Sequence, residues 1–124
     1  EKLIREQSAD HIETLEPNDP KLLSGAQLSK LLPGATIIYK TYYGAPCTIE
    51  LREGGAMIGR SGHANEDCDT GRWWVDGDLY CRQWQRWSYG EEGAYQVTLD
   101  DSLIRWWRPG GRLVDSAIIQ PAGE

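Results

Sequence analysis

The segment from Gly71 to Trp87 constrains the fold most: two alternating, aromatic-rich stretches meet at Asp76-Gly77, a residue pair suited to a tight two-residue turn. This pattern predicts a β-hairpin. It holds Trp73, Trp74, Trp84 and Trp87, four of the chain's six Trp, and Trp106 and Trp107 fall in a second alternating pair of segments. Indole rings carried on strands must therefore build either the core or a binding surface.

The chain has 124 residues, enough for one hydrophobic core without metal or many disulfides to hold it. From Ala35 onward it divides into short strands separated by Gly, Asp or Pro, expected at 35–43, 46–53, 56–61, 70–76, 78–87, 93–100, 102–108 and 112–120. Every link except 62–69 is short, and short links join antiparallel neighbours. The expected fold is mainly β, an eight-stranded antiparallel meander forming a small barrel or a strongly curled sheet. Ahead of it, Ser24 as N-cap with Gln27 at the capping-box position and Leu28, Leu31 and Leu32 on one side predict a short helix stopped by Pro33-Gly34. Residues 1–23 are expected to form an arm or linker, broken by Pro17 and Pro20, and 24–124 the barrel-like domain. The arm 1–20, poor in apolar residues, is expected to be dispensable for folding but needed for assembly.

Register in the last three strands, with turns at Asp100-Asp101 and Pro109-Gly111, predicts one core face of Tyr95, Val97, Leu99, Ile104, Trp106, Val114 and Ile118. The opposite face pairs Arg105 with Asp115 but also carries Trp107 beside Leu113, with Leu103 and Ala117 nearby. Trp107, Leu113 and Leu103 form an apolar patch where solvent is expected, which predicts a partner surface.

Thirteen Lys and Arg against nineteen Asp and Glu give a net charge of −6, which argues against nucleic acid as a partner. No stretch approaches the length of a membrane span. The three cysteines have no zinc or redox spacing. A Gly54-Gly55 turn would bring Cys47 to the start of the loop carrying Cys68, predicting a Cys47–Cys68 disulfide with Cys81 free and hence an oxidising compartment. A start at Glu1 without Met is compatible with a mature product whose signal peptide has been removed.

A helix written Leu-Ser-Gly-Ala-Gln-Leu at 23–28, the block Asp69-Thr70-Gly71-Arg72-Trp73-Trp74 through Leu79-Tyr80-Cys81-Arg82-Gln83-Trp84, and Ile104-Arg105-Trp106-Trp107 resemble a family of small exported bacterial proteins of unknown function. The resemblance spans residues 22–120, and its sharpest element is Gly-x-Trp-Trp followed by Leu-x-Cys-x-x-Trp. It implies a lipocalin-like, calycin-like β domain, periplasmic or secreted, and brings no catalytic residues. Family members pair the cysteine of this block with another about one strand later, whereas Gly93–Val97 here contains none.

No cofactor is expected. Asn65-Glu66-Asp67-Cys68-Asp69 superficially resembles a calcium loop but lacks the glycine and terminal glutamate of an EF-hand, and it reads as a solvated loop. His63 with Asp67 or Asp69 has no nucleophile in a suitable context. The leading expectation is a non-catalytic interaction module or accessory subunit that docks a protein partner or larger complex. The alternative is a lipocalin-like carrier of a small apolar or aromatic ligand, lined by Tyr39, Tyr42, Tyr43, Trp73, Trp74, Trp84, Trp87 and Arg82. A small enzyme comes third.

Overall fold

The protein's structure, a computed structural model, describes residues 14–16, 18–40 and 44–123. Its strands are β1 (Thr36–Lys40), β2 (Pro46–Leu51), β3 (Ala56–Ser61), β4 (Asp67–Asp76), β5 (Leu79–Trp84), β6 (Glu92–Asp100), β7 (Leu103–Trp107) and β8 (Leu113–Gln120). They form a closed antiparallel barrel in sequence order, and β8 returns to β1 with Ile37 opposite Ile119. Closure leaves no sheet edge exposed along the barrel.

The helix α1 (Gly25–Leu31) starts as its sequence predicts. Ser24 Oγ accepts from the Gln27 amide at 3.2 Å, and Gln27 Oε1 accepts from the Ser24 amide at 2.8 Å. The Gly25 amide donates to Asp78 Oδ1 at 2.6 Å, tying the start of α1 to the β4–β5 turn. Leu28 and Leu32 are fully buried and join Leu51, Met57, Val97 and Ile104 in the core. The helix thus closes one end of the barrel, and the loops after β3, β5 and β7 lie at the other end. Among the described residues no helix is long and apolar enough to cross a membrane.

Residues 14–16 and 18–23 pack on the barrel as a strap. β5 stops pairing with β6 at Tyr80–Tyr95, and the strand edge beyond that point is taken by the strap. The Leu23 amide donates to Val97 O at 2.9 Å and the Leu99 amide to Lys21 O at 3.0 Å, with Lys21 Nζ 2.7 Å from Asp100 Oδ2. At its other end Thr14 bridges Arg112, and the buried Leu15 donates its amide to Gly111 O at 2.6 Å. The low apolar content of 1–20 hid this docking, because one well-placed leucine and backbone pairing suffice for it. Residues 1–13 lie outside the described residues.

The expected core face holds through β6 and β7 but fails in β8. Trp106 pairs with Asp115, yet Trp107 pairs with Leu113, so a bulge at Val114 shifts the register by one. One extra residue exchanges the faces of a strand. Ala117 and Ile119 are therefore buried, whereas Val114 and Ile118 are exposed, and Asp115 turns inward instead of meeting Arg105 outside.

Trp107 is not an open partner surface. It is 5% exposed, its Nε1 donates to Thr98 Oγ1 at 3.0 Å, and it shares an outer groove with Thr14, Lys21 and Leu103, where the strap crosses β6 and β7. Leu103 and Leu113 are half-buried. The apolar patch legible in the sequence is covered largely by the chain's own strap.

The predicted Cys47–Cys68 disulfide is absent, and all three cysteines are free thiols. β4 begins three residues earlier than expected, so Cys68 lies within a strand opposite Arg60, while Ser61 faces Asp67 and Cys47. Cys47 is then buried inside the barrel and Cys68 exposed outside it, on opposite faces of the sheet.

Candidate functional site

At the end of the barrel opposite α1 lies a cavity of about 320 Å³. Ile37, Ile49 and Tyr80 line its apolar part, and Tyr39, Trp84, Trp87 and Trp106 supply aromatic wall. Cys47, Ser61, Asp67, Arg82, Ser88 and Asp115 add polar groups. Strand alternation explains most of this set: Tyr39, Cys47, Ser61 and Asp67 follow one another across β1 to β4 as register partners, all on the inner face.

Of the ligand-lining residues expected from sequence, Tyr39, Trp84, Trp87 and Arg82 do line the cavity. Trp73 points inward near the closed end, where its Nε1 donates to Arg52 O at 2.9 Å. Trp74 lies on the outer face, with the Arg72 guanidinium 4.4 Å from its ring centroid. Tyr42 and Tyr43 lie outside the described residues.

The aromatic wall is held by two devices. Trp84 and Trp87 pack with ring centroids 4.7 Å apart, and both rings fill the space above Gly59 of β3. A Cβ at Gly59 would overlap the six-membered rings of both, so glycine is what admits them. The second device is Asp69, which is buried and accepts the amide hydrogens of both Arg86 and Trp87 at 2.8 Å on Oδ2. Burial acts to raise the Asp69 carboxyl, but the amides of Trp87, Arg86 and Thr70 and the Arg86 guanidinium outweigh it and hold the carboxyl below the usual aspartate range. Trp87 also donates its Nε1 to Asp67 Oδ1 at 3.2 Å. The chain then turns through Ser88 and Tyr89 in the left-handed region, at φ 55° and 58°, leaving the Tyr89 side chain almost wholly exposed.

The acidic segment is thus divided by strand parity and by bonding. Asp67 and Asp69 hold Trp87, and Glu66 accepts the Ala64 amide at 2.9 Å. His63 is exposed, as a surface histidine, and Asp69 is engaged by the backbone of 86–87.

Burial shifts Tyr39, Cys47 and Asp115 of the cavity. It pushes the Tyr39 hydroxyl well above the ordinary phenol value, with the Cys47 thiol adding to the effect. The Cys47 thiol is itself raised by burial, opposed by hydrogen bonds with Tyr39 and Ser61. Burial also raises the Asp115 carboxyl, opposed by the Ser116 amide. Tyr39 meets Trp106 edge-on at 6.0 Å.

Asp115, Asp67, Ser61 and Trp106 are cavity residues that the sequence did not assign to a ligand. The Asp115 position depends on the β8 bulge. The available signal was Ile119, whose pairing with Ile37 fixes the inward face of β8 from the β1 side.

Comparisons with protein-family models, curated proteins and solved structures find no match.

Proposed function

We propose that the protein binds a small, largely aromatic molecule in the open end of the barrel, the carrier function that ranked second on sequence. The observation that carries this reading is the cavity walled by Tyr39, Trp84, Trp87 and Trp106. Its volume falls at the lower end of the roughly 300–1,000 Å³ of small-molecule sites. Aromatic walls with a few convergent polar groups suit such a ligand, because rigid rings give contact area at little entropic cost.

Docking of a protein partner through Trp107, Leu113 and Leu103 loses its main support, since Thr14, Glu16, Asp19 and Lys21 of the strap line the groove over Trp107 and Leu103. The exported setting, periplasmic or secreted, rests on the resemblance of the Gly71–Trp84 block.

The test is a fluorescence titration with the neutral probe N-phenyl-1-naphthylamine. Saturable one-to-one enhancement that Ser61→Phe abolishes without lowering the melting temperature supports the reading. Enhancement that is unsaturable, or indifferent to Ser61→Phe, contradicts it.

A further inference from the structure

We infer that the Arg82 guanidinium anchors one negative charge of the bound molecule, so that the barrel selects an aromatic monocarboxylate. This inference rests on the ligand-binding reading above. Arg82 projects from β5 into the cavity, register partner of Trp73 on one side and Gly93 on the other. Its position is built. Tyr95, two residues along β6 from Gly93, lays its phenol over that glycine, where a Cβ would collide with the hydroxyl. The hydroxyl accepts from Arg82 Nη2 at 2.8 Å, and the guanidinium lies 5.3 Å from the Tyr95 ring centroid.

Arg82 differs from its neighbours in what it lacks. Arg52 and Arg60 each meet Glu50, Arg72 meets Glu92, and Arg86 meets Asp67 and Asp69. Among the described residues, no carboxylate lies within 4.0 Å of Arg82. A guanidinium has five N–H donors in a planar fork, and the Tyr95 hydroxyl engages only one end of it. A half-buried cation without a counter-charge is costly, and a carboxylate entering the cavity offsets that cost with two parallel hydrogen bonds.

The charge of the ligand is limited by the same wall. Asp67 and Asp115 line the cavity with Arg82, and Asp115 and Arg82 both act electrostatically on Tyr39. Arg82 is the one cation among the described lining residues, so a second negative charge on the ligand would find no cationic partner there and would face Asp67 or Asp115. The rings of Trp84, Trp87 and Trp106 supply the aromatic contact.

Isothermal titration of the wild type, Arg82→Gln and Tyr95→Phe with 1-naphthoate, 1-naphthamide and 1-naphthyl phosphate tests this. The wild type should bind naphthoate about tenfold more tightly than the neutral amide, the discrimination expected of a charge-assisted pair, and more tightly than the phosphate. Arg82→Gln should abolish that preference, with circular dichroism reporting that the variant is folded. Tyr95→Phe, which frees the guanidinium from its holder, should reduce the preference. Amide bound as tightly as naphthoate by the wild type, or a preference that survives Arg82→Gln, overturns the anion anchor and leaves the ligand-binding reading standing. Tighter binding of the phosphate overturns the limit to one charge. Binding of none of the three overturns the anchor together with the reading beneath it.

Discussion

Asp69 holds Trp87 at the cavity: its Oδ2 accepts the Trp87 backbone amide at 2.8 Å, from a side chain only 3% exposed. A short buried acid on β4 thereby fixes the turn that carries an aromatic wall residue from β5. Asp69→Ala leaves the Arg86 and Trp87 amides without this acceptor and should lower stability by about 1–3 kcal/mol, measured by urea unfolding at pH 7. The folded-state carboxyl lies below its ordinary value near 3.8. Its contribution is therefore complete above that value and is lost as pH falls through the lower folded one. The gap between wild type and Asp69→Ala should narrow under strong acid, and a gap that widens contradicts the assignment.

Trp107 and the strap should behave as parts of the fold. Trp107→Ala should cost about 3–5 kcal/mol, the range for a large buried aromatic. Deleting residues 1–20 should also lower the melting temperature, since it removes Leu15, whose burial is worth about 1.5–3 kcal/mol. Thermal unfolding followed by circular dichroism checks both. An unchanged midpoint for either variant would contradict the docked strap.

The three thiols should separate by accessibility. Cys68 is exposed, while Cys47 and Cys81 are buried with thiols raised by that burial. A maleimide should modify Cys68 rapidly in the native protein, and Cys47 and Cys81 only on unfolding. Non-reducing peptide mapping that finds Cys47 bridged to Cys68 would contradict the inward and outward placement of these side chains.

The barrel was legible because its strands alternate cleanly and its turns carry Gly and Asp where tight reversals need them, as at Asp76-Gly77. The capping box of α1 was equally local. What escaped was set by tertiary pairing. The bulge at Val114 changes which of two nearly equal apolar sets, Val114 and Ile118 or Ala117 and Ile119, faces the core. Both faces of β8 read as half apolar, so alternation alone could not choose. The same slip carried Asp115 into the cavity. Tyr39, Trp84 and Arg82 were found because rings and a cation on inward strand positions meet inside a barrel, whereas Trp87 reaches the cavity from the turn after β5. Trp74 and Trp107 could not be placed without knowing that Arg72 covers one and that the strap crosses the other.

Nuclear magnetic resonance of the six indole N–H groups during titration with N-phenyl-1-naphthylamine tests the central claim most directly. A ligand in the barrel mouth should shift Trp84, Trp87 and Trp106, which line the cavity, with a single saturating curve. Trp73, Trp74 and Trp107, near the closed end, on the outer face and beneath the strap, should stay in place. Saturable shifts confined to Trp74 or Trp107, or no saturable shift at any indole, would contradict a ligand-binding barrel.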